Sequence, residues 1–506
     1  MWKDDDLSQK DVLNSWGIAD ETIAGAFKSA VENAPDAIYC KTTTGILTYA
    51  EAAGVIQALA RELQNDVKGQ AVALILPNSK AFLIAYFATL FAGGKPALIN
   101  HGHPDATIEK LLGDLKPAIT ISDRQQADCK TRVLNDALVD ELRQPVDLAN
   151  LIAPSKPEDI AAILYSGGTT GLPKQVPHTN AGIIATMERG DWGWRTRESE
   201  IWLPVAPFTH IYGFLMGLTN PLMRSGAVVI PERFQPDLIV DMLTQERVTI
   251  FGGGPPAIYQ GIMASEKFAT ASFPNLRICP GGGAPFPLDV HRRWHAATGL
   301  NIYEGYGMTE IAPISINTEA EGVKPGSAGK AVPGTVIEIV DVETGDQVLS
   351  TGQAGEIRVK GPHMMHGYTG NPEETAIALR HGYVYTGDIG TLDDEGFLTI
   401  TDRKKNVIFV SGFNVFPREV EEVLLTHPAV SGACVVAGMH ERSGEVPIAF
   451  VTLRSEASEE DIQSFCRDTL IAYKLPQEVI VLPQMPLTPA GKVDRTALQA
   501  SLSVDA

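Results

Sequence analysis

The chain has 506 residues, a formal net charge of −20, 44% hydrophobic and 20% charged residues, which allows several domains and excludes a disordered, collagen-like or coiled-coil chain. Five scattered cysteines with no CxxC pair exclude a disulfide framework and a thiolate metal site, and the acidic balance disfavours nucleic acid and anionic membranes as partners. The 47 glycines and 33 prolines are the unusual count, and where they sit is the question.

The chain opens Met-Trp-Lys-Asp-Asp-Asp. Three aspartates where a secretory signal needs an apolar run argue for a soluble, cytoplasmic protein. Ala71–Pro77 reads as a strand and Ala81–Phe91 as a helix. The apolar stretch Ala81–Gly94 is short of the ~20 residues that span a bilayer, so a buried core helix is expected rather than a transmembrane segment. Ala161–Tyr165 and Ala227–Ile230 are further strands. Val248–Ser265 is uncharged but is broken by Gly252-Gly253-Gly254-Pro255-Pro256. This alternation predicts layered α/β structure with buried, largely parallel sheet.

Gly355–Lys360 and Phe397–Thr401 suggest a β-rich region. After Asp402 the texture changes. Strands at Val407–Val410, Val430–Gly438, Val446–Leu453 and Glu478–Leu482 alternate with helices at Pro417–His427 and Glu459–Leu470. The expected fold class is therefore α/β: a large N-terminal part of several subdomains, residues 1–402, and a small mobile α+β domain, residues 403–506. About a hundred residues suffice for the latter.

Glycine-rich segments carry the chemistry. The first is Tyr165-Ser166-Gly167-Gly168-Thr169-Thr170-Gly171-Leu172-Pro173-Lys174. Glycines let backbone approach a ligand, and clustered N–H groups with Thr hydroxyls surround a phosphate. Lys174 adds a point charge. The segment is not a P-loop, because Gly-x-x-x-x-Gly-Lys-Ser/Thr is unmet. Taken alone, it reads equally as a plain Gly/Thr surface loop. The second segment is Tyr303-Glu304-Gly305-Tyr306-Gly307-Met308-Thr309-Glu310. The Tyr306 ring can lie on a purine, Thr309 can donate to a phosphate oxygen, and Glu310 is a hard oxygen ligand of the kind Mg²⁺ accepts beside phosphates. Alone, it is equally a Gly-rich turn with a surface Glu. In Tyr385-Thr386-Gly387-Asp388, the carboxylate could accept from both hydroxyls of a ribose.

Together these segments resemble the adenylate-forming superfamily: acyl- and aryl-CoA ligases, firefly luciferase and the adenylation domains of peptide synthetases. The first segment follows that family's phosphate loop, Tyr/Phe-x-Ser/Gly-Gly-Thr-Thr-Gly-x-Pro-Lys-Gly-Val. It departs at Gly167, where Ser is common, and at Gln175, where Gly is usual. The resemblance runs from Tyr49 to Arg495 and is nearest in pattern to acyl- and aryl-CoA ligases.

The resemblance implies ATP, Mg²⁺ and coenzyme A as cofactors and a small carboxylic acid as substrate, with an acyl carrier protein as the alternative acceptor. It implies that residues 166–171 and Lys174 hold phosphates. Gly282, Gly283 and Ala284 wall the adenine, Tyr306 and Gly307 stack on it, and Thr309 and Glu310 serve phosphate and Mg²⁺. Asp388 and Arg403 take the ribose. In Pro207-Phe208-Thr209-His210-Ile211-Tyr212-Gly213, His210 is placed by the substrate carboxylate. Residues 204–220 contain no Asp or Glu, which makes an amino-acid substrate less favoured. Tyr212, Met216, Gly254, Pro255 and Ala312 line the acid pocket by family position, suggesting an apolar fatty or aryl acid. Lys405 falls at the hinge, Gly412 faces the thiol acceptor, and Lys492, in Pro486–Arg495, is the catalytic lysine. The implied reaction forms acyl-AMP and pyrophosphate, then a thioester and AMP, with the small domain rotating between the steps.

Overall fold

A computed structural model describes residues 9–152, 154–167, 172–411, 413–440, 444–487 and 493–502. The chain divides into two compact units. One holds Met1–Ile337, Val359–Tyr385 and Gly396–Leu398. The other holds Glu338–Arg358, Thr386–Glu395 and Thr399–Ala506.

Within the first unit, a six-stranded sheet has the order Thr131–Val133, Ile119–Ser122, Ala71–Ile75, Lys95–Leu98, Ile160–Ser166, Lys174–Thr179. Every neighbouring pair is parallel except the last. The central strands are buried along most of their length, the condition that makes parallel strands read as continuous apolar runs. A second sheet runs Ile250–Gly252, Ile201–Pro204, Ala227–Val229, Ile38–Thr42, Gly45–Thr48 and is parallel apart from its final hairpin.

Helix Lys80–Phe91 is buried at every residue. The Ser79 hydroxyl caps it, accepting from Phe82 N–H at 3.1 Å, and the buried Lys80 ammonium pairs with Asp140 at 2.9 Å. The apolar stretch is thus a core helix. Among the described residues no helix is long and apolar enough to cross a membrane. Helix Tyr49–Val67 begins with a Thr48/Glu51 capping box. Phe27, Tyr39, Tyr49 and Phe87 interlock between these elements, with Phe27 and Phe87 centroids 4.5 Å apart. Burying one such ring contributes about 1.5–3 kcal/mol. A separate core around Phe251, Tyr259 and Trp294 carries helices Pro236–Gln245, Pro256–Met263 and Leu288–Thr298.

A smaller sheet orders Cys279–Gly282, Ile302–Met308, Ile311–Ile316 and Lys330–Ala331. Its first pair is parallel and the others antiparallel. Gly281, Gly282, Gly305 and Gly307 lie on its strands.

Strand Tyr383–Leu392, which belongs to the second unit from Thr386 on, pairs with Leu398–Arg403, which belongs to it from Thr399 on. A second sheet runs Phe413–Val415, Ile408–Val410, Gly444–Leu453, Val430–His440, with Glu478–Val481 parallel to Gly444–Leu453. Helices Pro417–Thr426 and Glu459–Arg467 contribute Val420, Leu424 and Ile462 to its core. The elements expected here are present, with ends displaced by a few residues. Gly444 and Glu445 look like turn residues, yet they extend the hairpin by pairing with His440 and Met439.

Candidate functional site

Residues Gly168, Thr169, Thr170, Gly171, Gly412 and Lys492 lie outside the described residues. The edges of the first loop are clear. Ser166, buried, closes one strand and Lys174 opens the next, and the two residues are register partners. A Cβ added at Gly167 would meet nothing within 4 Å. Gln175, the departure from the family pattern, is buried. Its Nε2 donates to Asp114 Oδ2 at 2.7 Å, and its carbonyl accepts from Thr369 N–H at 3.1 Å. The larger residue thus has partners of its own and ties the outgoing strand to helix Asp105–Leu115.

The second loop is a hairpin. Met308 and Ile311 pair across it, so Thr309 and Glu310 form its two-residue tip. Tyr306 pairs with Ser315, whose hydroxyl is anchored to the Ala328 carbonyl at 2.9 Å. The flanking glycines are sterically required. A Cβ at Gly305 would fall 2.8 Å from Ile316 Cγ2, and one at Gly307 would fall 3.0 Å from the Ala312 Cβ. At Gly282, in the parallel neighbour, it would fall 2.8 Å from the Gly305 carbonyl. Gly283 has φ +81°, the left-handed region that favours glycine. Beyond Ala284 the loop is fixed by Phe286 N–H donating to Glu304 Oε1 at 3.3 Å.

Glu310 is buried. Tyr368 Oη donates to its Oε1 at 2.7 Å, and its backbone carbonyl accepts from Met365 N–H at 2.8 Å. Lys174 Nζ lies 4.2 Å from the Tyr368 ring centroid and 3.0 Å from Glu374 Oε2. The lysine of one motif and the carboxylate of another are therefore joined through a residue of neither. Beneath the tip, His178 is hydrogen-bonded to the Thr309 backbone, and burial pulls its pKa down to about 4, so the ring is neutral.

Three of the residues expected at the acid pocket lie together. His210 is the N-cap of Ile211–Phe214, its Nδ1 accepting from Tyr212 N–H at 3.2 Å. In the neutral ring the proton therefore sits on Nε2. The helix continues as a π-helical turn, Leu215–Thr219, holding the buried Met216. Such turns recur at functional sites. Tyr212 Oη donates to the Pro280 carbonyl at 3.0 Å. A Cβ at Gly254, whose φ is +79°, would sit 3.5 Å from the Tyr212 ring, and one at Gly252 would sit 3.1 Å from Met216 Cβ. Tyr212, Met216 and Gly254 are thus neighbours. Pro255 follows in sequence, and Ala312 lies beside Gly307.

In the second unit, Asp388 is buried and Arg403 Nε lies 2.7 Å from its Oδ1. Gly387 has φ +68°, and the Thr386 hydroxyl, bonded to the Ile357 carbonyl, accepts from Asp388 N–H at 3.1 Å. Lys405 lies on the short helix Lys404–Asn406. Partial burial, then Arg403 and Arg495, push its pKa down.

Tyr368, Glu374 and His178 were not singled out from the sequence. The available signal was weak: Asn371-Pro372 announces a helix start, but nothing in Gly367-Tyr368-Thr369 separates a functional tyrosine from a core one.

The chain matches the model of the AMP-binding enzyme family over residues 27–369 and that of the AMP-binding enzyme C-terminal domain over residues 419–492. A long-chain-fatty-acid–CoA ligase of Bacillus subtilis is 32% identical over 85% of this chain and 85% of its own. A 4-coumarate–CoA ligase of Pinus taeda is 31% identical over 94% and 91%. The crystal structure of ATP-bound MatB from Rhodopseudomonas palustris superposes with a TM-score of 0.87 at 26% identity, covering 96% of this chain and all of that one. This chain belongs to the AMP-binding enzyme family. Within it, the chain is an acid–thiol ligase of adenylate-forming architecture.

Proposed function

We propose that the enzyme activates an apolar fatty or aryl acid with ATP and passes the acyl group to coenzyme A, releasing pyrophosphate and AMP. The observation that carries this reading is the joining of Lys174 to Glu310 through Tyr368, which supports one site for a triphosphate and its metal.

The donor set suits Mg²⁺. Glu310 is a hard oxygen ligand with one oxygen already satisfied, and among the described residues no group of three or more metal-ligating side chains exists. That fits a cation shared between one carboxylate and substrate phosphates. When bound, Mg²⁺ supplies charge neutralisation at the phosphates. Residues 166–171 and Lys174 bind the β- and γ-phosphates. Tyr306 stacks on adenine against Gly282, Gly283, Ala284 and Gly307, Thr309 donates to a phosphate oxygen, and Asp388 with Arg403 takes the ribose. His210 Nε2–H donates to the substrate carboxylate and orients it. Lys492 neutralises charge between that carboxylate and the α-phosphorus. The carboxylate then forms the new P–O bond as pyrophosphate leaves. Positioning and charge are most of what such a transfer needs.

In the second step a thiol attacks the acyl carbon past Gly412, and the C–O bond to AMP breaks. Lys492 and Gly412 serve different steps, and Lys405 is the pivot that exchanges them. Tyr212 has committed its hydroxyl to Pro280, so with Met216, Gly254, Pro255 and Ala312 it offers the acid an apolar wall. The enzyme works in the cytoplasm, where its free thiols suit a reducing compartment.

AMP release measured over a panel of fatty, aryl and amino acids with coenzyme A tests the reading. Turnover confined to apolar acids is expected. Turnover with amino acids alone overturns the substrate class, and turnover with a phosphopantetheinyl carrier protein but not coenzyme A overturns the acceptor.

A further inference from the structure

Residues 361–378 carry none of the motifs singled out in the sequence, yet they reach both charged groups of the phosphate and metal reading. The Tyr368 phenol donates to Glu310 Oε1 at 2.7 Å. A phenol is protonated at neutral pH, so it is the donor of this pair. A donor fixed on one carboxylate oxygen sets the plane of the group and leaves Oε2 for a cation. The face of the same ring lies against the Lys174 ammonium at 4.2 Å, a cation–π seat. Glu374 holds that ammonium at 3.0 Å, although its own side chain is 46% exposed.

Both residues are held by one short helix, Pro372–Ala378. Tyr368 N–H donates to Thr375 Oγ1 at 2.9 Å, and that hydroxyl donates to the Asn371 carbonyl at 2.7 Å. Asn371 Oδ1 accepts from Glu374 N–H at 3.1 Å. The geometry is over-determined around the two side chains that meet Lys174.

We propose that Tyr368 and Glu374 are positioning residues of the nucleotide site: Tyr368 orients the Glu310 carboxylate for Mg²⁺, and Glu374 is the counter-ion Lys174 leaves when ATP phosphates arrive. Neither touches the reacting atoms. The proposal rests on the roles given to Lys174 and Glu310 above.

The test is equilibrium binding of ATP to the full chain by titration calorimetry, with Mg²⁺ and with the metal chelated. Tyr368→Phe keeps the ring over Lys174 and removes only the donor. It is expected to weaken Mg²⁺–ATP binding about tenfold and to leave metal-free ATP within about twofold. Glu374→Gln is expected to tighten ATP binding about two- to fivefold in both media, the range of an exposed ion pair. Tyr368→Phe that weakens both forms alike, or neither, overturns the carboxylate role. Glu374→Gln with unchanged or weaker binding overturns the counter-ion role, and this exposed substitution tests that role whether or not Tyr368→Phe folds. Wild-type chain that binds ATP in neither medium overturns the function reading itself, a result distinct from either variant outcome.

Discussion

Arg403 Nε lies 2.7 Å from Asp388 Oδ1, and the two differ sharply in exposure: the carboxylate side chain is 6% exposed and the guanidinium 61%. Asp388 is the carboxylate that the proposed function gives to the ribose. Asp388→Asn preserves shape and removes charge. If Asp388 holds the ribose, kcat/KM for ATP falls about ten- to a hundredfold, the value of hydrogen bonds to a charged group, while KM for the acid stays within about twofold. Steady-state kinetics with each substrate varied in turn checks this. Equal losses on both substrates would reassign Asp388 to a structural role.

Gln175→Gly installs the residue of the phosphate-loop pattern that the first segment resembles and breaks the bond to Asp114. It leaves an acceptor without its donor and places glycine in a strand. Asp114 is exposed and water replaces the donor, so the expected cost is about 0.5–1.5 kcal/mol from the lost hydrogen bond, with up to about 1 kcal/mol more from backbone entropy. Urea unfolding at constant m-value measures it. A variant as stable as wild type would show that Gln175 and Asp114 are bystanders.

The parts of this molecule that were legible in its sequence are those where chemistry is local. Helix Lys80–Phe91 follows from the unbroken apolar run read over Ala81–Phe91, and the strands and helices after Asp402 follow from their short apolar runs. The illegible parts are long-range. Lys174 meets Glu374 across 200 residues and Gln175 meets Asp114 across 61, and no periodicity or turn signal encodes such pairs. His210 escaped as a cap for a different reason. Histidine is outside the usual capping set, so its Nδ1 bond to Tyr212 N–H appears only in three dimensions.

Glu188 is mostly buried beside Arg189, with Oε1 lacking a partner. Burial raises its pKa to about 7, and Arg189 offsets this only in part. A carboxyl whose folded pKa is raised is bound more tightly by protons in the folded state. Its contribution is therefore most favourable below the unfolded pKa of about 4.5 and is lost as pH climbs to 7. The full span is worth about 3 kcal/mol. Glu188→Gln removes the titration. Its stability relative to wild type should rise between pH 5 and pH 8, measured by urea unfolding at each pH. A constant difference would mean that Glu188 stays ionised throughout.

The proposed function gives Lys492 to adenylation alone and Gly412 to the thiol step. Lys492→Ala should lower pyrophosphate release from ATP and acid by about 10²–10³, the loss typical of one well-placed stabilising group. Thioester formation from preformed acyl-AMP and coenzyme A should stay within a few-fold of wild type. If Gly412 faces the thiol, Gly412→Leu should show the reverse, with pyrophosphate release retained and thioester formation blocked. Single-turnover assays of each half-reaction on both variants give the four rates. Equal losses in both halves for Lys492→Ala would place the lysine in a shared ground-state role and remove the reason to invoke rotation about Lys405.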